Sequence, residues 1–207
     1  MNSLFVAVAI VCGYLIGSIP TAYLVARLRR GIDIRQVGSR NMGAMNVFYT
    51  LGVGYGILVL GVDIGKGVGA VSLARWLDTP LEAQLASGGF AVIGHSFPVF
   101  LRFRGGKGGA TSIGVLGFLM PQAIPIGLGI FAIALLITRF PTLSYGLALG
   151  CAPFTAWLRY HSGALVLFST VLLLMLALRY IPRVREMRTR AGSWRHVFRR
   201  KSLKDRF

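Results

Sequence analysis

The chain has 207 residues, of which 55% are hydrophobic and only 14% charged. A soluble domain carries about 45 to 50% apolar residues, so this composition excludes an ordinary soluble fold and places most of the chain in a bilayer. The 23 Lys and Arg against 6 Asp and Glu give a formal charge of +17, which calls for anionic partners. With this hydropathy, anionic lipid or a phosphorylated substrate fits better than nucleic acid. Cys12 and Cys151 lie in apolar segments without metal-ligand spacing and read as small hydrophobes.

A helix needs ~20 mostly apolar residues to cross a membrane. The apolar runs predict an all-α, polytopic integral membrane protein with about seven transmembrane helices: Leu4 to Ala26, Gly52 to Leu73, Ala83 to Leu101, Ala110 to Met120, Ala123 to Thr138, Leu143 to Leu158 and Gly163 to Leu178. No basic region precedes the first run, and Arg27, Arg29 and Arg30 follow it. It is expected as a retained helix, not a cleaved signal. Inside it, Gly17-Ser18-Ile19-Pro20 reads as a kink or a close-packing point. Between Ala110 and Thr138 the apolar stretch is long for one helix and short for two; Pro121 and Pro125 interrupt it where a helical hairpin would turn.

Charge supports this count. With the N-terminus outside, the inner side receives Arg27, Arg29, Arg30, Arg35 and Arg40, then Arg102, Arg104 and Lys107, then Arg139, and finally eleven cations from Arg179 to Arg206. Only Arg75 and Arg159 fall outside, as the positive-inside rule requires. Residues 1–181 are therefore predicted as a single transmembrane domain. Residues 182–207 are predicted as a basic cytoplasmic tail lying on anionic headgroups, at about 1 kcal/mol per cation.

Chemistry concentrates at Gly94 to Thr111, where His95 ends an apolar run, Arg102, Arg104 and Lys107 follow, and Gly105, Gly106, Gly108 and Gly109 surround the lysine. Glycines let backbone N–H groups approach an anion, and a lysine adds a point charge, so the arrangement suits phosphate. A Gly-rich turn with cations at a membrane surface is the plainer alternative. Gly38 to Asn46, with Ser39, Arg40 and Asn41, falls on the same side of the membrane and supplies further donors; alternatively, Ser39 and Asn41 cap a helix. Two such loops facing one compartment suit a single ligand. His95 in its neutral form is a proton acceptor near pH 7. Asp63 and Lys66, three residues apart on one helical face, are expected to form a structural ion pair.

Leu15-Ile-Gly-Ser-Ile-Pro20, Gly38-Ser-Arg-Asn41, Gly43-Ala44, Asn46-Val47, Leu51-Gly52, Asp63 with Lys66-Gly67, and Gly94-His95-x-Phe97-Pro-Val-Phe100 before Gly105-Gly-Lys-Gly108 and Ala110-Thr111 together resemble the bacterial acyl-phosphate:glycerol-3-phosphate acyltransferases. The similarity runs from about Tyr14 to Leu143. It implies a seven-helix membrane enzyme that moves a fatty acyl group from acyl phosphate to the 1-hydroxyl of glycerol 3-phosphate, giving lysophosphatidic acid and phosphate. This is the first step of phospholipid synthesis. It implies a site open to the cytoplasm in the bacterial plasma membrane, with no metal, nucleotide or coenzyme A. Neither a nucleic-acid partner nor an oligomer is expected. Carried over, Ser39 and Asn41 belong to a phosphate pocket with Arg40, Asn46, Arg104 and Thr111; Lys107 with Gly105, Gly106 and Gly108 binds phosphate; His95 orients or deprotonates the hydroxyl, unless a substrate phosphate is the base. Ser39, His95 and Lys107 form the catalytic set. The chain departs from the family pattern at Met45, at Tyr49 where an arginine is expected, and over Arg179 to Glu186, which lacks an asparagine. A different acyl acceptor, or a non-catalytic protein that binds phosphorylated lipid, are the alternatives those departures leave.

Overall fold

A computed structural model describes residues 3–192 and Trp194. Among them are ten α-helices and no strand: α1 Ser3–Ser18, α2 Thr21–Arg30, α3 Ala44–Leu51, α4 Val53–Trp76, α5 Leu81–Ser96, α6 Gly109–Leu119, α7 Ala123–Thr138, α8 Pro141–Leu149, α9 Cys151–Tyr160 and α10 Gly163–Ala191. Three stretches, Ser3–Arg30, Val53–Trp76 and Gly163–Thr189, are long and apolar enough to cross a membrane; Gly109–Leu119 and Ala123–Thr138 are shorter apolar helices. The chain forms two compact units, divided after Leu119. Both Gly-rich loops lie in the first.

In the first unit, the expected opening span is two helices. Pro20 carries no N–H to continue the ladder, so α1 stops at Ser18 and α2 restarts with the Leu24 N–H donating to the Pro20 carbonyl at 2.9 Å. Helices in lipid gain little from burying apolar surface against one another, so close backbone approach and interhelical hydrogen bonds must hold them. The sequence provides both. A Cβ on Gly17 would collide with the Ala91 carbonyl, which joins α1 to α5, and a Cβ on Gly67 would collide with the Thr111 carbonyl, which joins α4 to α6. Ser87 on α5 donates to the Ala9 carbonyl at 2.9 Å and lies 3.0 Å from that of Ala70, tying in α1 and α4. Beneath the first Gly-rich loop, Ala22, Ala26, Ile34, Met42, Val47, Leu51 and Val59 form a buried apolar floor.

In the second unit, α7 begins at Ala123, so Pro125 sits in its first turn, where no intrahelical N–H is needed. Of the two prolines, only Pro121 interrupts a helix. The expected span from Leu143 to Leu158 is divided at Gly150 into α8 and α9. The expected boundary at 182 falls inside α10, which continues past Pro182 until Gly192, at φ 73°, closes it by donating to the Arg188 carbonyl at 3.2 Å. Apart from Trp194, the part of the expected headgroup-binding tail beyond residue 192 lies outside the described residues.

Candidate active site

The Gly105–Thr111 loop owes its position to the way α5 ends. Pro98 cannot continue the helix, and a short 3-10 turn, Val99–Leu101, leads into Arg102 and Phe103, both with φ above 50° in the left-handed region. The chain thereby doubles back. Gly105 donates to the Ser96 carbonyl at 3.2 Å and Gly106 to the His95 carbonyl at 3.0 Å, satisfying the last carbonyls of α5. A Cβ at Gly106 would fall on Nε2 of His95 and lie 2.6 Å from the Met42 carbonyl. Only a glycine lets the loop rest against the imidazole and the first loop at once. Gly108, buried at φ 89°, then accepts from the Ser112 N–H and hydroxyl, each at 2.9 Å, and opens α6. Lys107 thus stands just before a helix N-terminus, whose partial positive charge adds to its own.

The first loop is braced from within. Asn46 is 2% exposed; its Nδ2 lies 3.0 Å from the carbonyls of Ile34, Val37 and Asn41, and its Oδ1 accepts from the Ser39 N–H at 3.0 Å. The amide is fully used by the loop. This corrects the expectation that Asn46 binds phosphate: it shapes the loop that carries Ser39 and Asn41. Asp33 starts the loop by accepting from the Arg35 backbone at 2.9 Å and from its guanidinium at 2.8 Å. The bond from the Arg35 side chain holds the Asp33 carboxyl below its usual range, against the opposing effect of partial burial, with the backbone bond adding to the lowering. Arg35 also lies over the Tyr23 ring at 5.2 Å and reaches the Leu101 carbonyl at 3.5 Å.

Behind the loops lies a buried charge cluster. Asp63, Lys66 and His95 are 1%, 5% and 4% exposed. Lys66 Nζ donates to Asp63 Oδ1 at 2.6 Å and to the Ile19 carbonyl at 2.5 Å, and Asp63 Oδ1 stands 3.7 Å from His95 Nδ1. The expected ion pair is present, and it also touches the histidine. Thr111 is fully buried on α6 against Gly67, and its hydroxyl has no hydrogen-bond partner among the described residues.

The fold therefore brings His95, Gly105, Gly106 and the Met42 carbonyl together, and holds Ser39 and Asn41 on one brace. Ser39, Arg40 and Arg104 are exposed, and neither arginine side chain forms a hydrogen bond or ion pair among the described residues. The α3 helix, capped by Gly43 and not by Ser39 or Asn41, was absent from the sequence expectations, as was the adjacency of Asp63 to His95. Met45 is exposed and Tyr49 packs edge-on against Phe48 at 5.2 Å. Among the described residues no three His, Cys, Asp or Glu gather as a metal site would require.

Apolar helices joined at glycine seams, carrying a Gly-Gly-Lys loop against a buried histidine, define a helical membrane protein. Residues 7–190 match the family model described as glycerol-3-phosphate acyltransferase, and the chain belongs to that family. It is 50% identical over 210 residues to "Glycerol-3-phosphate acyltransferase 2" of Dehalococcoides mccartyi, with 100% of both chains covered. Its fold matches crystal structures of PlsY (YgiH), an integral membrane glycerol 3-phosphate acyltransferase. For the glycerol 3-phosphate form the TM-score is 0.83 at 28% identity, over 98% of this chain and 95% of the other. For the lysophosphatidic acid form it is 0.79 at 28% identity, over 90% and 92%.

Proposed function

We propose that this membrane acyltransferase moves a fatty acyl group from acyl phosphate to the 1-hydroxyl of glycerol 3-phosphate, releasing lysophosphatidic acid and inorganic phosphate. The observation that carries this reading is the convergence at Gly106, where His95 Nε2 and the Met42 carbonyl of the first loop meet the Gly-Gly-Lys loop. Two loops rich in anion donors share one histidine, as a reaction between two phosphorylated substrates needs. The solved relative named as both a glycerol 3-phosphate form and a lysophosphatidic acid form supports the acceptor and the product.

In this reading the hydroxyl oxygen attacks the acyl carbonyl carbon, and its proton passes to His95 Nε2. The bond from that carbon to the phosphate oxygen then breaks, and phosphate departs. Lys107 and the Gly108 N–H, beside the start of α6 and Thr111, stabilise the charge on the leaving group, while the Gly105 and Gly106 N–H groups, expected to bind phosphate, are instead taken by the Ser96 and His95 carbonyls and hold the loop in place. Ser39, Arg40 and Asn41 hold the acceptor phosphate, which supplies much of the rate by positioning. Arg40 and Arg104, both exposed on the two loops, provide the cations that Tyr49 does not.

In this reading the protein sits in the bacterial plasma membrane with seven spans, and the positive-inside distribution of Lys and Arg supports both loops facing the cytoplasm. The basic C-terminal tail then lies on anionic headgroups, and the protein acts as a monomer. The test is phosphate release by the purified chain with palmitoyl phosphate, with and without glycerol 3-phosphate. Release that depends on the acceptor and yields lysophosphatidic acid is expected; release indifferent to the acceptor, or none from folded protein, would overturn the assignment.

A further inference from the structure

The two nitrogens of the His95 ring face different neighbours. Nε2 is the atom on which a Cβ at Gly106 would fall, so it looks toward the loops, whereas Nδ1 stands 3.7 Å from Asp63 Oδ1 on α4. An ion pair three residues apart on one helix could be satisfied within that helix. This one is not confined to it. Lys66 also reaches the Ile19 carbonyl at the break between α1 and α2, and the carboxylate it holds faces α5. Three helices thus meet on one charge pair that ends at the histidine.

We infer that Asp63, anchored by Lys66 to the α1–α2 break, is a positioning residue that keeps the His95 proton on Nδ1 and leaves the Nε2 lone pair facing the Gly-Gly-Lys loop. This rests on the role of His95 given under Proposed function. At 3.7 Å the contact exceeds a hydrogen bond, so the carboxylate acts through its field, and such contacts shorten when substrate binds. A neutral imidazole has one protonated nitrogen and one acceptor, and the neighbour of each decides which is which. A buried carboxylate on the Nδ1 side, a few ångströms away, makes that choice. Lys66 then has two tasks: it neutralises the carboxylate in an apolar surrounding, and it fixes the direction in which Oδ1 points.

The first test needs no variant. The full chain, labelled with 15N-histidine and held in detergent, contains 3 histidines, and the His95 resonances are those lost in His95→Gln. A neutral ring protonated on Nδ1 is expected; a ring protonated on Nε2 overturns the proposal. The second test separates positioning from plain structural pairing. Asp63→Asn alone strands a buried ammonium, so the informative variant is Asp63→Asn/Lys66→Met, since replacing both partners of a buried pair by neutral groups is often tolerated. If Asp63 positions His95, kcat in the double variant falls by on the order of 10²-fold, while KM for glycerol 3-phosphate stays within about threefold. A double variant with near-native kcat overturns the proposal. His95→Gln, assayed in parallel, keeps the two readings apart. Turnover retained there removes His95 from the reaction; turnover lost there, beside a near-native double variant, removes only the positioning role of Asp63.

Discussion

Replacing Asn46 by alanine is expected to weaken acceptor binding without touching the acceptor. The substitution leaves the carbonyls of Ile34, Val37 and Asn41 and the N–H of Ser39 without their shared partner. The bond to Ile34 is fully buried, so its loss costs about 1 to 3 kcal/mol; the amide has one further hydrogen, shared between the Val37 and Asn41 carbonyls, and that bond and the one from Ser39 are reachable by water and cost about 0.5 to 1.5 kcal/mol each. The loop is then destabilised by between about 2 and 6 kcal/mol relative to its braced form. The helices do not depend on these bonds, so the loss is local. KM for glycerol 3-phosphate should rise at least about tenfold, as the braced loop becomes a minor state, and exchange of the Ser39 amide should accelerate by a similar factor. Asn46→Asp has the same shape and keeps the acceptor for Ser39, but it turns a carboxylate oxygen toward three carbonyls and should be no better. Steady-state phosphate release with varied glycerol 3-phosphate, together with hydrogen exchange over residues 37–43, measures both effects. Unchanged KM with unchanged exchange in Asn46→Ala would refute the bracing role.

Lys107→Ala should abolish transfer while the protein remains folded in the membrane; turnover equal to the native rate would remove the phosphate role of the second loop. Gly106→Ala should push the loop off His95 and Met42, lowering kcat by on the order of 10²-fold, with the helical circular dichroism spectrum unchanged. The Asp33–Arg35 pair sets an acid limit. The folded Asp33 carboxyl sits below its unfolded value, so its contribution to stability is complete above that unfolded value, about 3.9, and is lost as pH falls through the lower folded one. Thermal unfolding followed from pH 6 to pH 3 should show this acid-side loss, and Asp33→Asn should flatten it.

What the sequence disclosed was set by how local each requirement is. The Gly105–Thr111 loop was legible because a tight backbone approach can only be met by glycines, and glycines are visible as letters. The break at Pro20 was legible for the same reason: a missing N–H is a property of one residue. Asn46 was legible as important but not in its role, since an amide looks the same whether it faces a ligand or its own loop. The α3 helix escaped because its eight residues, Ala44–Leu51, follow a Gly-rich connector and carry too few turns for a periodic signal. Helical spacing paired Asp63 with Lys66, yet no spacing within one helix can report that the pair faces His95 on another. The cost of burying charge in lipid was the available hint: intramembrane ionisable groups seek each other out, and three of them on two neighbouring helices seldom stay apart.

The glycine seams carry a mechanical consequence. Where Gly17 meets Ala91 and Gly67 meets Thr111, backbone lies directly on backbone. An ordinary helix interface yields by turning side chains to other rotamers; a seam of this kind has none to turn. Sliding α1 along α5, or α4 along α6, would drive main-chain atoms into one another, so each pair resists shear like a keyed joint. Any opening of the first unit to a long acyl chain would therefore have to come from somewhere other than these two seams.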